Sequence, residues 1–79
     1  MFYIFDDMNK KLIIQAIRDK MFSIMAEQKK KLSDTYFAEQ IGISKATFSR
    51  IMNFKEIDIN SIVAVCKWLG QPIDNFIEK

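Results

Sequence analysis

The stretch AEQIGISKATFSRIMN, residues 38–53, places a glycine between two isoleucines and follows it with a serine. Gly42 can adopt the positive φ that a sharp turn needs, and the hydroxyl of Ser44 can cap a new helix. Ile41 and Ile43 are expected to be buried on either side of this turn. The pattern predicts two short helices joined by a tight turn, which is a helix-turn-helix.

The helix after the turn has two different sides. Phe48, Ile51 and Met52 cluster on one side, which should face the core. The opposite side carries no acidic residue; it consists of Ala46, Ser49, Arg50 and Asn53, flanked by Lys45 and Thr47. Short side chains and one arginine favour close approach to a major groove, where arginine can grip guanine. The alternative that spacing and charge leave open is a helical bundle with an ordinary solvated side.

Three predicted helix starts share one capping pattern. Ser33, Ser44 and Asp58 each offer an oxygen to free N–H groups, and each lies between an apolar residue directly before it and another four residues after it. These starts predict helices over about 34–40, 45–54 and 59–69, after a first helix over about 9–28. Gly70 ends the fourth helix, and Pro72 can open a short fifth helix through Phe76.

Helical spacing also predicts which sides of the first and fourth helices are buried. The predicted core residues of the first helix are Ile13, Ile17, Met21, Ile24 and Met25, and those of the fourth are Ile59, Ile62, Cys66 and Leu69.

The composition limits the class of protein. A chain of 79 residues with 49% hydrophobic residues, two Gly and one Pro predicts one all-α domain over residues 1–79, with an N-terminal extension over 1–8. One cysteine and no histidine exclude an intrachain disulfide and a Cys/His zinc site, and they fit a cytoplasmic setting. The apolar start, MFYIF, is too short for a membrane span and lacks the basic start of a signal peptide. No enzyme activity, metal or cofactor is expected, because a phosphate-binding glycine loop and a paired nucleophile and base are missing.

The charge is unevenly distributed along the chain. The net charge is +2, but residues 29–55 hold six basic and two acidic residues, a net of +4. Positive charge around the helix-turn-helix suits a polyanion, although a lysine run is usually a solvated surface.

Residues 32–77 resemble the Cro/CI-type helix-turn-helix regulators, also known as the Xre family or lambda repressor-like proteins. The family signature LA…GIS…T.SR corresponds here to Phe37-Ala38, Gly42-Ile43-Ser44, Thr47 and Ser49-Arg50, and VCKWLG, residues 65–70, resembles the close of the fourth helix in many members. The resemblance implies a compact five-helix domain whose helices 2 and 3 form the helix-turn-helix at about residues 33–54. It also implies a bacterial or phage transcriptional regulator, with a repressor favoured, that binds double-stranded operator DNA as a homodimer with helix 3 in the major groove.

The resemblance assigns individual residues to the DNA. Base contacts are implied for Lys45, Ala46, Thr47, Ser49 and Arg50. Phosphate contacts are expected for residues at the helix ends and for the lysine run: Ser33, Thr35, Ser44, Asn53, Lys55, Lys29, Lys30 and Lys31. For residues 29–31 a merely solvated run is an equally good interpretation.

Two residues depart from the family pattern. Asp34 stands where members often carry a backbone-contacting Gln, and its charge repels phosphate, so that contact is transferred to Ser33 or Thr35. Phe54 stands where members often carry Gly after the Asn that ends helix 3. The turn is therefore expected to take another conformation, with Phe54 packing against a neighbour or pairing with one.

A surplus of apolar residues remains unassigned. A possible dimer surface consists of Phe2, Tyr3, Ile4, Phe5, Leu12 and Phe22, unless the N-terminal segment folds back over helix 1; Phe76 and Ile77 are another candidate surface. The apolar N-terminal segment motivates a second function from another class, a protein-interaction module such as an antitoxin or anti-repressor subunit.

Overall fold

The computed structural model describes residues 8–55 and 58–77. The predictions made for Phe2, Tyr3, Ile4 and Phe5 lie outside these residues, as does the apolar residue expected before Asp58. Within the described residues the chain is all-helical, as predicted, and its α-helices are α1 Lys10–Gln28, α2 Asp34–Ile41, α3 Lys45–Met52 and α4 Ile59–Leu69.

The expected fifth α-helix is not confirmed. A 3₁₀ helix of four residues, Ile73–Phe76, follows Pro72 instead. Directly after it, Ile77 pairs with Met8 in an antiparallel bridge, and the Asn9 N–H donates to the Phe76 carbonyl at 2.6 Å. The last turn is therefore held by Met8 and Asn9 rather than by a continuing helical hydrogen-bond ladder.

Side-chain caps fix the starts of the first three helices. The Asn9 side chain accepts from the Leu12 N–H at 3.1 Å, and Ser33 accepts from the Tyr36 N–H at 3.2 Å. The residue before α4 behaves differently from the prediction: Asp58 has the extended backbone of a cap but makes no side-chain bond to the helix N–H groups. Its carboxylate accepts from the hydroxyl of Ser61, which is buried and needs a partner.

All four α-helices end in the same way, with one residue in the left-handed backbone conformation. These residues are Lys29 at φ 56°, Gly42 at φ 94°, Phe54 at φ 63° and Gly70 at φ 73°. In each case the next N–H reaches back five residues; Ile43, for example, donates to the Ala38 carbonyl at 3.0 Å. This is the Schellman pattern, which satisfies carbonyls that a helix end leaves free.

One hydrophobic core joins all the helices. Its fully buried side chains include Phe37 and Phe48 from the helix-turn-helix, Ile17 from α1 and Ile62 from α4. Met8 and Phe76 are also buried in it, at 6% and 2% exposed, so Phe76 is not the surface residue that the sequence suggested.

The buried side of α4 differs in part from its prediction. Ile62 and Cys66 are buried and Leu69 is half-buried, but Ile59 is 43% exposed. Val65, which the prediction omitted, is fully buried. Ile59 is the first residue of α4, and helical spacing alone does not indicate that the end of a helix is exposed.

Trp68 links three helices from the half-buried side of α4. Its ring lies edge-on to Phe37 of α2, with ring centroids 6.2 Å apart. The ammonium of Lys20 on α1 lies 4.7 Å from the ring centroid and donates to the Trp68 carbonyl. Trp68 is therefore a packing residue, and α1 and α2 are both positioned against α4.

Candidate nucleic-acid interface

The turn between α2 and α3 has the predicted geometry. Gly42 takes a positive φ of 94° and is followed by Ile43, which is half-buried, and by Ser44. The Ser44 hydroxyl accepts from the Thr47 N–H at 3.0 Å and lies 2.9 Å from the Thr47 hydroxyl, to which it donates. Since Ser44 already uses its hydroxyl within α3, a phosphate contact through that group would have to displace the Thr47 hydroxyl.

The side of α3 that faces away from the core is open to solvent. Phe48 and Ile51 are buried at 1% and 2% exposed. With about 100° between successive residues of an α-helix, the opposite side holds Ala46, Ser49, Arg50 and Asn53, and Lys45 flanks it; all five residues are exposed. We call these five residues the outer face of α3. Thr47 lies between this face and the core and is half-buried.

At the C-terminal end of the outer face, the side chain of Asn53 bonds to Ser49. Its side-chain amide donates to the Ser49 carbonyl at 2.7 Å and to the Ser49 hydroxyl at 3.3 Å. The amide therefore spans the last turn of α3, and a phosphate contact would redirect one of these two N–H groups. Ser49 and Asn53 act together as one polar patch rather than as two independent side chains.

The outer face carries positive charge only. Lys45 and Arg50 are exposed on it, Lys55 is exposed just beyond it, and no acidic residue occurs between Lys45 and Lys55. Such a surface attracts a polyanion over a distance of about 8–10 Å at physiological salt.

The other expected phosphate contacts lie on two separate parts of the chain. Ser33 and Thr35 are exposed at the start of α2, beside the exposed acid Asp34. Residues 29–31 are exposed on the connection between α1 and α2. The structure thus groups the base-contacting candidates on α3 and leaves the lysine run one helix away.

Phe54 is the site residue that the sequence analysis described wrongly. It adopts the left-handed conformation that a glycine would take, not a different one, and its side chain is 50% exposed. The feature of the sequence that indicates this left-handed conformation is that Phe54 stands where the family pattern has glycine.

An apolar groove lies between α1 and the core-facing side of α3. It has a volume of about 310 Å³. Phe22, 67% exposed, contributes to its wall, and Arg18 and Asp34 bring charge to it. Its other lining residues are Met21, Met25, Phe48 and Met52. Leu12, the other described residue of the expected dimer surface, lies on α1 and is 45% exposed.

Neither a metal site nor a membrane span is found in the part of the chain that the structure describes. Residues 8–55 and 58–77 hold no group of three or more His, Cys, Asp or Glu side chains able to bind a metal ion. Among the same residues, no helix combines the length and the apolar character that crossing a bilayer requires.

The structure has a helix-turn-helix whose second helix exposes a polar, cationic face. This arrangement is typical of helix-turn-helix DNA-binding domains. The family model of the Cro/C1-type HTH DNA-binding domain matches residues 21–78, and the chain belongs to this family. Family membership supports DNA binding and a part in transcription regulation, and domains of this kind are typically non-enzymatic. No curated protein and no solved structure matches the chain.

Proposed function

We propose that the protein is a sequence-specific regulator that represses transcription by occupying operator DNA, with α3 lying in the major groove. The observation that carries the proposal is the outer face of α3, which is exposed and free of acidic residues while Phe48 and Ile51 anchor the opposite side in the core. In this arrangement α3 can enter a groove without any rearrangement of the fold.

The residues on the outer face and those directly beside it have two different roles in this proposal. Arg50 presents a planar guanidinium that can donate two hydrogen bonds to one guanine. Lys45, Thr47 and Ser49 can reach neighbouring base edges, and the methyl side chain of Ala46 leaves room for close approach. Asn53 and Lys55 at the end of the helix suit phosphate oxygens, which position the protein without reading sequence.

We further propose that two copies bind together. A homodimer would place its two recognition helices about 34 Å apart on one side of the duplex, facing two half-sites. Leu12 and Phe22 support a contact surface on α1, because both are large, apolar and exposed. Sedimentation at the protein concentrations that retain DNA should show a dimer, and Phe22→Ser should shift it towards the monomer.

Selection of bound sequences from random duplexes is the primary test of the function. A selected site should be a palindrome if two copies bind. Gel retardation should then show that Arg50→Ala binds the selected site about 5–150-fold more weakly, equivalent to about 1–3 kcal/mol, and loses preference at one base pair.

Lys67→Ala is the matched control for Arg50→Ala. Lys67 is exposed on α4, to which no DNA contact is assigned, and its replacement changes the net charge by the same amount. Equal losses for the two variants would mean that only overall charge matters. Failure of the wild-type protein to retain any duplex at low salt would contradict the proposal as a whole.

The second candidate, a protein-interaction module, is favoured by the apolar groove between α1 and α3 and by the exposure of Phe22 beside it. It predicts a protein partner that stays bound after nuclease treatment and is released by Phe22→Ser. Duplex binding by the wild-type protein together with loss of that partner on nuclease treatment would favour the regulator instead.

A further inference from the structure

Phe54 occupies a backbone position that suits glycine and disfavours other residues. Its φ is 63°, and the last turn of α3 closes around it, with the Phe54 N–H donating to the Ile51 carbonyl at 3.2 Å. The next N–H, that of Lys55, donates to the Arg50 carbonyl at 2.9 Å. At the equivalent ends of α2 and α4 the chain has glycine, which takes this conformation without steric penalty.

The aromatic ring of Phe54 is only half buried. Phe54 is 50% exposed, whereas Phe37, Phe48 and Phe76 are at most 2% exposed. A phenylalanine that combines a disfavoured backbone conformation with a half-exposed ring points to a use outside the fold.

The neighbours of Phe54 indicate what that use is. Asn53 before it belongs to the outer face of α3, and Lys55 after it is exposed and cationic. Phe54 therefore lies directly beyond the outer face, at the C-terminal end of α3, between two residues of the surface that faces DNA in the proposed function. Residues near the N-terminal end of a recognition helix contact base edges, so a residue past its C-terminal end is better placed for the sugar–phosphate backbone.

We propose that Phe54 is an affinity-determining residue that lays its ring on the deoxyribose carbons of the DNA backbone, between the phosphates contacted by Asn53 and Lys55. The inference rests on the proposed function and deepens it. The deoxyribose C–H groups offer an apolar surface, and covering an exposed ring with them removes apolar area from water. Such a contact carries no charge and reads no base.

These properties give Phe54 a signature that differs from those of its neighbours. Phe54→Ala should weaken binding to the selected site and to mixed-sequence duplex equally, by about tenfold, which corresponds to about 1.4 kcal/mol. The salt dependence of binding should not change, because no counterion is released by an uncharged contact. By contrast, Lys55→Ala should reduce the salt slope by about 1, and Arg50→Ala should relax base preference.

Phe54→Gly separates the DNA contact from the integrity of the fold. It should bind DNA as weakly as Phe54→Ala while melting at a higher temperature than Phe54→Ala, because both variants lack the ring and only glycine accepts the positive φ without strain. Phe54→Tyr keeps the ring and should bind within about twofold of the wild type. Val63→Ala removes an apolar side chain that is 40% exposed on α4 and should leave binding unchanged.

Three results would overturn this inference and leave the proposed function standing. Phe54→Gly could bind DNA as tightly as the wild type, the loss of affinity in Phe54→Ala could be confined to the selected site, or that loss could be matched by weaker self-association in sedimentation. The last of these would assign the ring to a second copy of the chain. Absence of duplex binding by the wild-type protein would overturn the proposed function, and this inference with it.

Discussion

Replacing Gly42 with alanine tests the geometry of the helix-turn-helix directly. Gly42 has φ 94°, and a Cβ built on it meets no atom within 4 Å. The cost of Gly42→Ala should therefore come from the backbone conformation alone, without any contribution from steric clash. For an L residue forced into the left-handed region this cost is about 1–2 kcal/mol.

The size of the chain converts this cost into a measurable shift. For a domain of this length each kcal/mol lowers the melting temperature by about 4–8 °C, so Gly42→Ala should melt about 4–16 °C below the wild type. Fluorescence of Trp68, the single tryptophan, and far-UV circular dichroism should report the same transition. DNA binding well below the transition should be unchanged, because the outer face of α3 is untouched.

Gly42→Asn is the control, since asparagine tolerates the left-handed conformation better than alanine does. It should fall between the wild type and Gly42→Ala. A loss below about 0.5 kcal/mol for alanine would show that the turn does not need a positive φ, which refutes the reasoning. A loss above about 3 kcal/mol would mean that the Cβ meets atoms that the structure places elsewhere.

Three further predictions concern caps, core and protonation. Ser44→Ala removes the oxygen that accepts from the Thr47 N–H at 3.0 Å and should cost about 1 kcal/mol in chemical denaturation, while Ser44→Asp should retain most of the stability. Phe37→Ala empties a fully buried site beside Trp68 and should cost about 3–5 kcal/mol, a large share of the stability of so small a domain; a cost near 1 kcal/mol would show that the core collapses into the space. Burial raises the pKa of the Cys66 thiol above its ordinary value of 9.0, so the folded state favours the protonated form. Its contribution to stability should be complete below pH 9.0 and be lost as the pH rises through the folded-state pKa, and a Cys66→Ala variant should lose less stability over that range.

The helix starts could be predicted because capping is a local interaction. Ser33 and Ser44 bond to N–H groups three residues away, so their role can be recognised in a short stretch of sequence. Glycine likewise marks the ends of α2 and α4. The end of α3 was predicted two residues too late because Phe54, unlike glycine, gives no stop signal, although its backbone turns in the same way.

Contacts between distant parts of the chain could not be predicted in this way. The burial of Phe76 and Met8 depends on the two ends of the described chain meeting, and helical spacing carries no information about that meeting. The side of α3 that faces outward was predictable, since a helical wheel follows from sequence alone. The internal bonds of Ser44 and Asn53, which compete with DNA for the same polar groups, became visible only with side-chain geometry.

The bridge between Met8 and Ile77 has a consequence for the way the fold would resist force. The bridge and the bond from the Asn9 N–H to the Phe76 carbonyl fasten residues 8–9 to residues 76–77. Pulling residues 8 and 77 in opposite directions would load these contacts first and separate the two segments before the tension reached the α-helices.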